Sequence, residues 1–325
     1  MTRRMTPAAL LRLLVAALLT ATILAGCSGQ SRSDDADDGP EDTAAVVDDE
    51  VDTSAFPVTV DTPHGEVTIE EPPTDIVAVS LEAVEILLAL GVQPVAAPAL
   101  FEEGPWIDEL ADPEEIFTDR IDDTDNAREH IQTLAPDLIV GSSFVADDQR
   151  YPLLSDIAPT VTFEDAAGDT PAGSWETVTT LLGTVTGRSE RATEIIEETH
   201  AAIEQAAADH PVSDGATVTF AGRYAADQVI AAVNDDHSGL RFLSALGLGV
   251  ADLSGEGASV AGGRAELSLE NLDLLDRADL VIMGDFGGDL QEDLESQSLY
   301  QSLDAVREDR VVVLDLALTT ALNTP

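Results

Sequence analysis

Glu129-His130-Ile131-Gln132-Thr133-Leu134-Ala135-Pro136-Asp137-Leu138-Ile139-Val140 is answered in the second half of the chain by Glu270-Asn271-Leu272-Asp273-Leu274-Leu275-Asp276-Arg277-Ala278-Asp279-Leu280-Val281, which has one extra residue before its Asp-Leu pair. In each copy an acid opens an amphipathic helix that feeds an Asp-Leu-apolar strand. Their corresponding places imply two pseudo-symmetric lobes. Outward from the first copy, Ile76 to Val79 form a short apolar run, and Leu81 to Leu90 carries apolar residues at spacings of three and four before Gly91. Val95 to Ala97 and Pro159 to Phe163 supply further strands. Short apolar runs between helices mark parallel strands covered on both faces. Ahead of them, Val58 to Val60 and Glu66 to Ile69 alternate around Pro63-His64-Gly65 and predict a β-hairpin.

Around the second copy the pattern repeats, with strands over Ala216 to Ala221, Gln228 to Val233, Leu280 to Met283 and Val311 to Leu314, and a helix over Leu240 to Leu246. Between the halves, Trp175, Val178, Leu181 and Leu182 recur at helical spacing, and Gly183 to Gly187 interrupt. Ala192, Ile195, Ile196, Thr199, Ala202 and Ile203 then resume the period until Pro211. A helix over 188–209 is about 30 Å long, the width of a small lobe, and is placed to be a strut. The fold class expected is α/β, two Rossmann-like lobes joined by a long rigid helix.

The first 27 residues say where the chain works. Arg3, Arg4 and Arg12 precede or interrupt an apolar run, Leu10 to Leu24, that ends in Leu24-Ala25-Gly26-Cys27. This is the layout of a cleavable export signal, and the run is short for a bilayer-spanning helix. Cys27 is the only cysteine, so no internal disulfide is available to an exported chain. The Leu-Ala-Gly-Cys string resembles a bacterial or archaeal lipobox, which implies cleavage before Cys27 and its acylation, hence a tether on the outer face of a cytoplasmic membrane.

The formal net charge is −48, with no lysine. Loss of the signal leaves 12 arginines against 63 acids, a net charge of −51. Nucleic acid is excluded as a partner, because its affinity comes from cations that displace condensed counterions. The acidity is spread along the chain, as in a surface adapted to high salt, where short Debye lengths relieve self-repulsion. Residues 28–55 combine low hydrophobicity with a run of acids and predict a disordered tether. The expected organisation is therefore a lipoprotein signal at 1–27, an acidic tether at 28–55, an N-terminal lobe at 56–173, connecting helices at 174–211 and a C-terminal lobe at 212–325.

With these residues in view, the chain resembles the substrate-binding lipoproteins of iron-siderophore and cobalamin ABC importers. The resemblance runs through Ile76 to Val79, Leu88-Ala89-Leu90-Gly91-Val92-Gln93-Pro94-Val95, Leu134 to Val140, Leu182-Gly183-Thr184-Val185-Thr186-Gly187-Arg188, Leu243-Ser244-Ala245-Leu246-Gly247-Leu248 and the Leu303 to Leu314 stretch. It implies the periplasmic-binding-protein architecture and no enzymatic activity. The expected role is an extracytoplasmic, membrane-anchored monomer that captures a ferric siderophore and delivers it to an ABC permease with its ATPase. Cobalamin or haem is the alternative ligand, with zinc or manganese behind them. No resident cofactor is implied, since iron would arrive as cargo. Such proteins usually continue past Asn323-Thr324-Pro325 into a final helix, so a truncated record or a shortened second lobe is expected.

The resemblance also assigns Glu129 and Glu270 to permease docking, where carboxylates on each lobe meet arginine forks. A plain helix-dipole role for both acids is compatible with that. Ligand contacts are expected on loops at the carboxyl ends of strands, in a cleft between lobes. Ferric siderophores often carry negative charge and broad apolar surface, so arginine and aromatic residues are the natural readers. Arg150 and Tyr151 follow the Asp137 to Val140 strand, and Arg223 and Tyr224 follow the Ala216 to Ala221 strand. Trp106 lies after the Val95 strand, and Arg264 in a glycine-rich loop before Glu270; Phe286 is a weaker candidate. His64, His130, His200, His210 and His237 are scattered, without metal-site spacing. No Gly-x-Ser-x-Gly elbow or Gly-Lys-Ser/Thr phosphate loop is present.

Overall fold

The computed structural model describes residues 51–98, 115–117, 124–143, 145–164, 174–213, 215–225, 227–233, 237–255, 257–261, 263–284, 290–315, 318–319 and 322, with backbone alone at 115–117, 124–126, 224–225, 261 and 290–291. Cys27 with its signal segment, most of the acidic tether, Trp106 and Phe286 lie outside the described residues.

The sequence read as tether meets the body before residue 56. Asp52 N donates to Gly187 O at 2.9 Å, and Thr53–Ala55 form a 3-10 turn capped by the Asp52 side chain. Next come β1 (Val58–Thr62) and β2 (Gly65–Ile69), an antiparallel hairpin whose turn needs the positive φ of Gly65, +112°. Then β3 (Ile76–Ala78), α1 (Leu81–Ala89), β4 (Ala96–Pro98), β5 (Glu115–Phe117), α2 (Thr124–Leu134), β6 (Leu138–Ser142), α3 (Tyr151–Ser155) and β7 (Thr160–Phe163) follow. The order β5-β4-β3-β6-β7, parallel throughout, makes a doubly wound sheet with its switch between β3 and β6. Alternate residues serve two cores. Ile76, Ala78, Leu138 and Val140 pack with Ala83, Val84 and Leu87 of α1, whereas Val77, Val79 and Ile139 pack with Ile131 and Leu154 on the other face.

Two helices follow, α4 (Trp175–Val185) and α5 (Ser189–Asp209), close to the expected spans. Gly183 lets them touch, since a Cβ there would stand 2.5 Å from the Ala192 Cβ. Ala192 and Ile195 at the start of α5 belong to the N-terminal core, and Ala206 near its end packs on the core of the second lobe. Its 21 residues span about 30 Å, and Ala192 is its one fully buried side chain.

The second lobe comprises β8 (Thr217–Ala225), β9 (Gln228–Ala232), α6 (Ser238–Ala245), β10 (Gly249–Val250), β11 (Ala258–Ala261), β12 (Arg264–Ser268), a 3-10 helix (Leu269–Arg277), β13 (Leu280–Gly284), α7 (Leu290–Glu295), α8 (Ser298–Gln301), α9 (Asp304–Arg307) and β14 (Val311–Leu314). Its seven-stranded sheet runs β11-β12-β9-β8-β13-β14, with β10 beside β8. It departs from the parallel pattern: β8, β10, β13 and β14 are parallel, whereas β9, β11 and β12 join antiparallel. Only two residues separate β8 from β9, too few for a crossover. The glycine cluster read as a loop instead brackets the β11–β12 hairpin, so Arg264 opens a strand. The second amphipathic segment is a 3-10 helix kinked at Asn271, where the first is an α-helix.

One correspondence between the lobes reaches the hydrogen bonds. Asp137, ahead of β6, accepts from Thr74 N at 2.8 Å and Asp75 N at 3.1 Å, fixing the start of neighbouring β3. Asp279, ahead of β13, accepts from Thr217 N at 2.9 Å and Thr217 Oγ1 at 3.0 Å, fixing the start of neighbouring β8.

Candidate ligand-binding site

Loops that connect parallel strands through helices gather at the strands' carboxyl ends, and the switch point opens a crevice there. In the N-terminal lobe that places Ser80, after β3, beside Ser142, at the end of β6. Ser142 N donates to Ser80 Oγ at 3.1 Å, and Ser142 Oγ is buried without a partner. Ser142 continues the face of Leu138 and Val140, which is the face α1 covers.

Arg150 and Tyr151 lie on the segment that leads from β6 into α3. Arg150 Nη1 donates to Asp147 Oδ2 at 3.1 Å and to Val145 O at 3.2 Å, so the cation folds back on its own loop. Tyr151 stacks on His64, with ring centroids 4.1 Å apart and planes within 7°. His64 Nδ1 shares a hydrogen bond with Thr162 Oγ1 at 2.9 Å, and Nε2 stands 3.5 Å from Asp148 Oδ1. The tip of the β1–β2 hairpin thus clamps the β6–α3 segment to β7. Sequence reasoning left His64 without a role because its partners lie far along the chain, where periodicity carries no signal.

In the second lobe Arg223 is 4 % exposed, near the carboxyl end of central strand β8, next to an irregularity in its pairing with β9. Tyr224 follows it in the same strand, and its side chain lies outside the described residues. Arg264 stands apart. It pairs with Ala232, opposite Phe220, whereas Arg223 pairs with Val229, opposite Leu267. Three residues along the strand and two strands across put it about 10 Å lower and about 10 Å to the side. Arg264 instead neighbours His237, which is 6 % exposed and has Nδ1 without a partner. Burial first, then the positive charges of Arg264 and Arg241, push the His237 imidazole down to about 4.

Glu129 and Glu270 are both exposed but are not equivalent: Glu129 is the sixth residue of α2, and Glu270 the second of the 3-10 helix, just past the end of β12. Where α4 meets α5, Trp175 packs edge-on against His200, whose Nε2 lies 3.2 Å from Glu176 Oε1. Burial would raise the Glu176 carboxyl, but hydrogen bonds from its own backbone, His200 and Ser174, with the Arg241 charge, outweigh it and hold the group below the usual range. A cavity of about 1020 Å³ is lined by Val233, Arg241, Gly249, Asp252 and Val260 among others. Gly249 pairs with Thr217, so this cavity lies at the amino end of the sheet, away from the crossover loops and without aromatic lining. Among the described residues no group of three or more His, Cys, Asp or Glu could hold a metal ion.

Two α/β lobes, each with parallel strands presenting loops at one edge and with a long helix running from one core to the other, define a solute-binding protein. Residues 76–318 match the family model of the periplasmic binding proteins, and the chain belongs to that family. It is 34% identical over 126 residues to the probable siderophore-binding lipoprotein YfiY of Bacillus subtilis, a match covering 39% of this chain and 37% of that relative. A periplasmic solute binding protein from Mycobacterium smegmatis is similar over 82% of this chain and 90% of its own, with 28% identity and a TM-score of 0.67. The fold is shared with PiaA of Streptococcus pneumoniae in complex with ferrichrome, at 22% identity, a TM-score of 0.65, and coverage of 82% of this chain and 92% of that one.

Proposed function

We propose that the chain is the extracytoplasmic, lipid-anchored substrate-binding protein of an ABC importer, that it captures a ferric siderophore between its lobes, and that it performs no covalent chemistry. The observation that carries this reading is the family match across both lobes, joined to the similarity with a protein named as siderophore-binding. Cys27 carries the anchor, and Arg223, Tyr224 and Trp106 meet the ligand, with Arg150 and Tyr151 shaping the opposite wall. Iron is cargo, held by its chelator.

Glu129 and Glu270 dock the two lobes on permease arginines. Their exposure suits that role, since a charge-assisted pair with an arginine fork fixes orientation as well as affinity. Uptake of radioactive iron as its siderophore complex, in cells lacking the native chain and supplied with variants, tests the reading. The unaltered chain restores uptake, and Glu129→Arg with Glu270→Arg abolishes it while ligand affinity in the purified protein stays unchanged. Loss of affinity in the double variant, or uptake independent of the chain, contradicts the assignment.

A further inference from the structure

Pro63 and His64 form the turn of the β1–β2 hairpin, closed by the Thr62–Gly65 pair. Thr62 braces that turn: its Oγ1 donates to Gly65 O at 2.8 Å and accepts from His64 N at 3.2 Å. The strands behind are anchored, since Val67 and Ile69 of β2 belong to the N-terminal core. His64 therefore projects from a fixed backbone. Its Nδ1 meets Oγ1 of fully buried Thr162 at 2.9 Å, and its ring covers one face of Tyr151. Thr162 pairs with Gly141 of β6, one residue below the Ser142–Phe163 pair that ends both strands, so the anchor sits beside the carboxyl edge where the crevice opens.

The backbone of Tyr151 is tied down by Asp147, whose O accepts from Tyr151 N at 2.8 Å. Its side chain is half-buried, and among the described residues its hydroxyl makes no hydrogen bond. The phenol ring is fixed instead by the stack on His64, with centroids 4.1 Å apart and planes within 7°. His64 can serve as that support because its other atoms are committed: Nδ1 to Thr162, with Nε2 3.5 Å from Asp148 Oδ1. A ring already held in one rotamer loses less freedom when a ligand settles on it, so holding it raises affinity without adding a contact.

We infer that His64 is a positioning residue for ligand capture: it holds the Tyr151 ring on the crevice wall, so that the β1–β2 hairpin sets affinity through Tyr151. The inference rests on the ferric-chelate reading above, in which Tyr151 shapes that wall. Calorimetric titration of the purified chain with ferrichrome, ferrioxamine B, ferric enterobactin and ferric citrate first identifies the chelate that the parent binds tightest. With that chelate, His64→Ala should bind about five- to tenfold more weakly, up to about 1.4 kcal/mol. In a Tyr151→Ala background the same change should shift affinity by less than about twofold, because the two residues act as one unit. His64→Phe, which returns a ring over Tyr151, should bind within about twofold of the parent, whereas His64→Asn, which returns an amide to Thr162 without a ring, should stay weak. Should His64→Ala fail to fold, the Phe and Asn variants decide alone. Parent affinity in His64→Ala, an equal loss with and without Tyr151, or binding restored by Asn and not by Phe overturns the inference and leaves the ferric-chelate reading standing. A parent chain that binds none of these chelates overturns both.

Discussion

His237 shows how a single buried group ties this chain's stability to pH. Its imidazole titrates near 4 in the folded chain, against 6.5 for the free side chain, because burial and two nearby arginines disfavour the charged form. Between those values the unfolded chain binds the proton and the folded chain does not, so stability is full above about pH 6.5 and falls as the pH drops toward 4. The loss reaches about 3 kcal/mol, from about 1.4 kcal/mol per pKa unit. His237→Gln should remove that component: chemical denaturation at pH 7 and pH 4.5 should show a smaller acid loss than in the parent, and an equal loss contradicts the assignment. Counting from apolar runs puts Arg223 and Arg150 on loops after their strands; Arg223 instead lies within β8, which runs on to Ala225, and Arg150 stands at the start of α3, eight residues past the end of β6. The sequence could not show that Arg150 folds back on Asp147 or that Tyr151 stacks on His64, since side-chain pairing depends on the register of segments brought together by the fold.

Among the elements, the paired aspartates are the clearest product of the internal echo. Asp137 accepts the amides of Thr74 and Asp75, just before β3, and Asp279 accepts the first amide of β8, so each ties the amino ends of two parallel strands together. Hydrogen bonds to a charged acceptor contribute about 1.5–3 kcal/mol, reduced at exposed sites such as these. Asp137→Ala and Asp279→Ala should each lower the unfolding free energy by about 1–2 kcal/mol in urea titrations, and a change within about 0.3 kcal/mol in both would contradict the clamp. The Asp-Leu pairs were legible because each adjoins a run of apolar residues. Most strands buried on both faces were equally legible, as were α4 and α5, whose period and glycine break stand out. The missed elements carry weaker signals. β5 has three residues and β10 two, too short for a period, and α7 to α9 are single turns or little more. The β11–β12 hairpin was present as Ala258 to Ala261 and Arg264 to Ser268 around Gly262-Gly263, a turn signal that the nearby glycines masked. Leu269–Arg277 has the hydrophobic spacing of an α-helix but takes the 3-10 form, with the run broken at Asn271, φ −111°.

For the whole molecule, charge and topology act together. A net charge of −48 without lysine keeps the chain solvated and away from polyanions. The long helix α5, rooted in one core and packed on the other, ties the two lobes together. Lobe architecture was legible because the two halves repeat and the strut is long. The ligand's identity was not, because recognition lies in loops where composition, not period, carries the information. The central claim is that the lobes hold one iron chelate. Native mass spectrometry of the purified chain with equimolar ferric hydroxamate, ferric triscatecholate, ferric citrate-type chelate, cobalamin and haemin tests it most directly. The account predicts a single mass increment equal to one ferric chelate, at an affinity of about 1 μM or tighter. A chain that stays at its unliganded mass, or that takes up cobalamin or haemin instead, would contradict it.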